Sequence, residues 1–315
     1  MPLSDELRAI AERVRNWGRW GDDDQAGTAN LITPEATRRG AACVRTGVRI
    51  SLAVALREDG IQMGQPAGRF NPVLTPTSLN ERDKFAPGEW VGTDDLVSMS
   101  TCAGTHIDGL AHVAYDGKIY GGRDQGTVRA RGGASFAGVE HLPPLATRGI
   151  LVDVPRTRGV DVLDAGTVIT PTDLDAAIAA TGLTVLPGDA LCIRTGEIRH
   201  YHAGDRHRYA TGKDWQNTGL GMSCVEWFHE RDVAAVFCDN YTYEVMPPEN
   251  GNWDDLLAVH LLHLRDMGMI QGQNWDFEAL AEACAADGTY DFFLVAAGEP
   301  IVGATSAPVH PVAIR

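Results

Sequence analysis

The 315-residue sequence contains no unbroken apolar run of the roughly 18 residues that a membrane-crossing helix needs, so a membrane is not an expected partner. Positive charge is scarce: 27 Lys and Arg stand against 42 Asp and Glu, a formal net charge of −15. A surface this acidic repels phosphate backbones, which removes nucleic acid from the expected partners. The six cysteines (Cys43, Cys102, Cys192, Cys224, Cys238 and Cys284) include no CxxC pair and read as reduced thiols of a cytoplasmic protein, not as a disulfide framework. The first residues, Met1-Pro-Leu-Ser-Asp-Glu-Leu-Arg8, are charged and lack the apolar core of a signal peptide. Internal repeats and low-complexity segments are also missing.

What remains is the composition of a packed globular protein, 44% hydrophobic and 22% charged. Apolar spacing at Leu7, Ile10, Ala11 and Val14 predicts a helix over residues 4–16. Residues 17–30 combine turn formers with Trp17 and Trp20 and read as an ordered loop. Thr33-Pro34-Glu35 starts a second helix, with Thr as the cap, Pro in the first turn and an acid beside it. The same logic starts one at Thr170-Pro171-Thr172-Asp173. Strands are expected over 48–56, 149–154, 190–194, 233–238, 292–297 and 309–314, and further helices over 224–231 and 256–267. The polar stretch 57–94 is expected as a long loop that forms a lid or a subunit contact, and 199–215 as a second polar loop. Helices and strands alternate without a strict βαβ rhythm. The expected class is therefore α/β with a mixed sheet, as a single domain over 1–315.

One string stands apart: Cys102-Ala-Gly-Thr-His106-Ile-Asp108-Gly-Leu-Ala-His112. Cys, His and Asp are good ligand types for a divalent metal. On an extended segment His106 and Asp108 project to one side, because the side-chain period is two. Small residues at Ala103 and Gly104 let the backbone bend so that Cys102 can join them. His112 is placed to act as a general acid or base beside them. Cys102 itself is open to three readings: a thiolate ligand, a small buried side chain, or a nucleophile next to His106. Trp17, Trp20, Trp90 and Trp215 are candidates to wall a substrate pocket or to be packed core. His200, His202 and His207 are a second metal site or a solvated loop, with the loop preferred. Asp239, at a strand end, either orients a site residue or caps a turn.

The string resembles the His-x-Gly-Thr-His-x-Asp-x-Pro-x-His signature of the cyclase family, the group that includes kynurenine formamidases and isatin hydrolases. Gly104, Thr105, His106, Asp108 and His112 match it position for position. The blocks at 17–30 and 112–122, Asp239-Asn240 and the closing Pro308-Val-His-Pro-Val-Ala-Ile314 extend the resemblance over nearly the whole chain. It implies a β/β/α fold with a mixed sheet, a homodimer or homotetramer, a divalent metal (zinc or manganese), and hydrolysis of an aryl formamide or cyclic amide. It also implies His106, Asp108 and His260 as metal ligands and His112 as the acid/base. Two family positions differ here. The first motif histidine is Cys102, and a later glutamate falls at Gln273, which with Trp17 and Trp20 is assigned to the substrate. Asp108 and a Cys102 thiolate neutralise one divalent ion, not two, so one metal at most is expected, and a soft thiolate favours zinc over manganese. Without metal, the same histidines would suit a cyclase or lyase that moves protons on carbon.

Overall fold

The computed structural model describes residues 2–64, 66, 68–82 and 88–315. Its frame is a nine-stranded mixed sheet. In chain order the sheet strands and a separate hairpin are β1 (Arg49–Ser51), β2 (Val73–Glu81), β3 (Gly92–Ser98), β4 (His106–Asp108), β5 (Leu145–Asp153), β6 (Ala190–Arg194), β7 (Ala235–Cys238), β8 (Ile270–Gln273), β9 (Asp291–Ala296), β10 (Ser306–Pro308) and β11 (Val312–Ile314). The sheet order is β1-β11-β9-β5-β6-β7-β8-β4-β10, while β2 and β3 pair only with each other. The central four strands, β5 to β8, are parallel, and the strands on either side run antiparallel. The parallel strands are buried on both faces, which is why Ile150-Leu-Val152, Ala190-Leu-Cys-Ile193 and Ala235-Val-Phe-Cys238 read as unbroken apolar runs.

The connectivity forces this sheet to curl. Strand β10 ends at Pro308 and β11 begins at Val312, yet the two are seven places apart in the strand order. Four residues of chain span at most ~14 Å, whereas seven spacings of a flat sheet cover ~34 Å. The two ends must therefore approach one another. The seam carries the contacts that this requires: Leu52 N donates to the Pro311 carbonyl, Val54 N to Thr105 Oγ1, and Ala53 bridges to Trp275.

Helices α1 (Asp5–Val14), α2 (Pro34–Ala41), α3 (Pro171–Thr181), α4 (Ile198–His202), α5 (Arg206–Thr211), α6 (Cys224–Glu230), α7 (Ala258–His260, running into a π-helical segment Leu261–Met267) and α8 (Glu278–Asp287) flank it. Helix α1 is capped by Ser4 and buries Leu7, Ile10, Ala11 and Val14, the stripe that its spacing predicts. Thr170 and Asp173 close a reciprocal capping box on α3. Among the described residues no helix is long and apolar enough to cross a membrane, and all six cysteines are unpaired and buried.

Several expectations change. The stretch 57–94 is not a plain loop, for it contains β2 and the start of β3; its residues 65, 67 and 83–87 lie outside the described residues. The stretch 199–215 holds most of α4 and all of α5. The strand expected over 48–56 pairs as β1 only at Arg49–Ser51 before the chain leaves for the seam. The strand expected over 309–314 is shorter, β11 at Val312–Ile314, because Pro311 just before it lacks the N–H group that a longer ladder would use, and a separate strand, β10 at Ser306–Pro308, precedes it.

Candidate metal centre

The site is built on three neighbouring strands. In β4 the residue order His106-Ile-Asp108 sends both chemical side chains to one face and Ile107 to the core behind. Antiparallel pairing sets Gln273 opposite His106 and Gln271 opposite Asp108 on one side. On the other side it sets Pro308 opposite His106 and Ser306 opposite Asp108. Cys102 joins from the turn before β4. It is 5% exposed, its Sγ lies 2.9 Å from Ser306 Oγ, and its carbonyl accepts from Gln62 Nε2 at 2.8 Å.

The ligand atoms of Cys102, His106 and Asp108 all lie within 4.8 Å of one another. His106 Nδ1 sits 2.8 Å from the Gly104 carbonyl. A carbonyl only accepts, so Nδ1 carries a proton and Nε2 is the nitrogen that faces the cluster. Asp108 is asymmetric. Its Oδ2 accepts from Gln271 Nε2 at 3.2 Å and Gln273 Nε2 at 3.3 Å, while its buried Oδ1 has no hydrogen-bond partner among the described residues. That free oxygen lies 3.7 Å from His106 Nε2 and 3.9 Å from His112 Nε2. A buried carboxylate oxygen without a donor is costly unless something positive fills the gap. A cysteine sulfur, an imidazole nitrogen and an open carboxylate oxygen within 4.8 Å of one another are donors that fit a divalent cation.

The charges in the cluster are strongly perturbed. Burial opposes the Cys102 thiolate, but the adjacent His106 outweighs it and holds the thiol below its ordinary range. Burial likewise opposes a charged His106, yet Cys102 and then Asp108 lift it to about 9. Burial raises Asp108, and the surrounding His112, His106 and His260 more than reverse this. His112 is pushed down by burial, partly offset by Asp108. Its Nδ1 is buried without a partner.

His260 belongs to the same centre at one remove. Its Nδ1 hydrogen-bonds the Glu244 carboxylate, so Nε2 is the acceptor for Gln273 Nε2 at 2.6 Å. Nε2 is also 3.9 Å from Asp108 Oδ2. The structure thus places His260 and Gln273 beside the three-residue cluster rather than inside it.

Sequence reasoning missed Glu244, Gln271 and His263. Glu244 is 3% exposed and accepts from the backbone N–H groups of Val259 and His260, fixing the start of α7. Gln271 alternates with Gln273 in an otherwise apolar strand, a signal that was there to be read. Its amide nitrogen serves Asp108, which leaves its oxygen as acceptor for His263 across a gap where both atoms lack a close partner. His263 completes the string through Nδ1, 3.0 Å from the Tyr243 hydroxyl.

The other candidates lie elsewhere. Trp17 packs behind the motif against Leu110, Ala111 and Tyr120, donates from Nε1 to the Arg265 carbonyl at 2.7 Å, and is flanked by the Arg15 and Arg265 guanidinium groups. Trp20 lies under Arg19. Trp90 and Trp215 are exposed. Among the described residues no second metal cluster forms: His202 pairs with Asp276 at 2.8 Å and His207 faces Thr211. Asp239 caps the turn after β6, accepting from Thr195 N, Thr195 Oγ1 and Gly196 N.

Comparison with known proteins agrees with this architecture. The Cyclase family model matches residues 33–245. A crystal structure described as a novel cyclase is 34% identical, covers 97% of this chain and 99% of its own, and superposes with a TM-score of 0.87. Isatin hydrolase A from Labrenzia aggregata, solved with benzyl benzoate, shares the fold at 16% identity, with coverage of 87% and 94% and a TM-score of 0.61. Isatin hydrolase A from Ralstonia solanacearum does so at 16% identity, coverage of 84% and 91%, and a TM-score of 0.58. Among curated protein sequences none matches the chain. With the motif on β4, the curled mixed sheet and a family match over two thirds of its length, the chain belongs to the cyclase family.

Proposed function

We propose that the protein is a metal-dependent hydrolase that cleaves a C–N bond in a small aromatic or cyclic amide. The observation that carries this reading is the convergence of Cys102, His106 and the unpartnered Asp108 Oδ1, with His112 Nε2 on the same side. When bound, one divalent ion, zinc in preference to manganese, would supply the positive charge that polarises a scissile carbonyl. The chain's own groups do the rest. Asp108 faces His112 and favours its protonated form once it has taken a proton from the attacking water. His112 then returns the proton to the departing nitrogen. Gln273 and His260 line the side of the cluster away from Cys102 and orient what binds there. The name of the isatin hydrolases, which share the fold, points to a cyclic amide fused to an aromatic ring.

The hairpin β2–β3 supports an assembly of identical chains. Val73, Leu74, Leu79, Leu96 and Val97 are all exposed on it, more apolar edge and face than a lone subunit keeps in water. A homodimer or homotetramer would cover them, and light scattering at micromolar concentration reads this directly.

The catalytic reading is tested at His112. His112→Ala should lower turnover of the best substrate among formamides, lactams and imides by about two to four orders of magnitude, with metal content unchanged. Parent-like turnover would take His112 out of the reaction.

A further inference from the structure

The chain before β2 is fastened at two points, Gln62 and Phe70, to the segment that carries Cys102. Gln62 donates from Nε2 to the Cys102 carbonyl at 2.8 Å. Eight residues later Phe70 N donates to Ser100 Oγ at 2.9 Å, and Ser100 N returns a bond to the Phe70 carbonyl at 3.4 Å. Asn71 ties the two points together, accepting from Gln62 N at 2.9 Å and donating to the Gln62 carbonyl at 3.0 Å. Arg69 sits between the fastenings, half-buried, with its backbone N–H turned back to the Pro66 carbonyl.

Its guanidinium hydrogen-bonds the Tyr241 hydroxyl, which in turn donates to Gln62 Oε1 at 2.8 Å. Arg69 makes no ion pair among the described residues, whereas most arginines of this acidic chain are matched to a carboxylate. The chain of contacts from Arg69 through Tyr241 and Gln62 to the Cys102 carbonyl sets its charge near the cluster, where it acts on both Cys102 and His112. A planar cation, fixed by its neighbours and lacking an anion, is a receptor for a carboxylate.

We propose that Arg69, backed by Tyr241, receives a carboxylate on the molecule bound at the cluster, so that the substrates are amides that also carry a carboxylate group. The proposal rests on the hydrolase reading for the word amide, and on the loop geometry for the word carboxylate. The chemistry of the reaction is compatible with it. Water adds its oxygen to the acyl carbon, the C–N bond breaks, the nitrogen gains a proton, and the new acid ionises by releasing its proton to solvent. A second carboxylate would thus appear near the metal cluster while the first stays on Arg69.

The test uses the protein as purified and two probes of one shape, benzoate and benzamide, titrated by calorimetry against the parent, Arg69→Gln and Arg69→Lys. Benzoate should bind the parent more tightly than benzamide does. Arg69→Gln should weaken benzoate about ten- to a hundredfold, the usual loss for a charged hydrogen bond, and leave benzamide within about twofold. Arg69→Lys should recover part of the loss, since charge returns without the planar fork. Equal benzoate affinity in parent and Arg69→Gln, or a parent that does not prefer benzoate, overturns the proposal. Turnover is not needed for this result. If no amide is hydrolysed, the hydrolase reading falls while the benzoate titration still decides on Arg69.

Discussion

Asp108 is held by one oxygen and open at the other, and the proposed metal site uses that asymmetry. Two amides, Gln271 and Gln273, pin Oδ2 and leave Oδ1 facing His106 and His112. Gln271 is itself set by His263, whose burial drives it down to about 3 and so keeps it neutral. A neutral ring that accepts from the Tyr243 hydroxyl at Nδ1 can offer only an N–H from Nε2. This fixes which end of the Gln271 amide faces Asp108. Gln271→Leu should therefore weaken zinc binding about 10- to 100-fold, the usual effect of losing a partner behind a ligand, read by competition with a chelator. Unchanged affinity would mean that Asp108 needs no such support. At this scale the sequence was readable wherever spacing encodes geometry. His106 and Asp108 are two apart on a strand, and so share a face. Glu244 and His263 carry no such mark, because they reach the centre through tertiary packing from a segment and a helix more than a hundred residues away.

Helix α7 is the element that brings the distant histidines in, and its first turn is unusual. Leu257 enters with φ 63°, a left-handed conformation that costs a leucine about 1–2 kcal/mol. Glu244 offsets this by accepting from the Val259 and His260 N–H groups and from the His260 ring. Glu244→Ala should thus do two things. It should cost roughly 1–3 kcal/mol in urea unfolding, from a lost cap and a lost charged hydrogen bond, and it should free the His260 ring from its orientation. A variant as stable as the parent would show that the helix start is held by packing alone. The apolar spacing over 256–267 made the helix legible. Its π-helical stretch was not, since no residue pattern separates i→i+5 from i→i+4 bonding. The parallel strands were the most legible elements because burial on both faces leaves an apolar run. The hairpin β2–β3 was the least legible. Its Thr75-Pro-Thr-Ser78 stretch is polar, and its exposed faces gain nothing from the chain's own core.

Over the whole molecule, two buried acids outside the metal centre tie stability to pH. Burial lifts Glu197 from 4.5 to about 7 against the pull of Arg208, and lifts Asp239 from 3.8 to about 6 against its bonds from Thr195 and Gly196. Between the lower and upper values the folded state binds more protons than the unfolded one, so stability falls as pH rises from about 4 through about 7 and then levels. Glu197→Gln should reduce that fall by on the order of 1–3 kcal/mol between pH 5 and pH 8, measured by urea unfolding at both. Parallel losses in parent and variant would contradict the assignment. The metal carried per chain is also a property of the whole molecule. Elemental analysis of protein purified without added metal, then dialysed against zinc, should give about one zinc per chain for the parent. It should give close to none for Cys102→Ala, because His106 and Asp108 alone are too few ligands for a stable zinc site. A parent that stays free of metal, or a Cys102→Ala variant that holds as much as the parent, would contradict the account of the site.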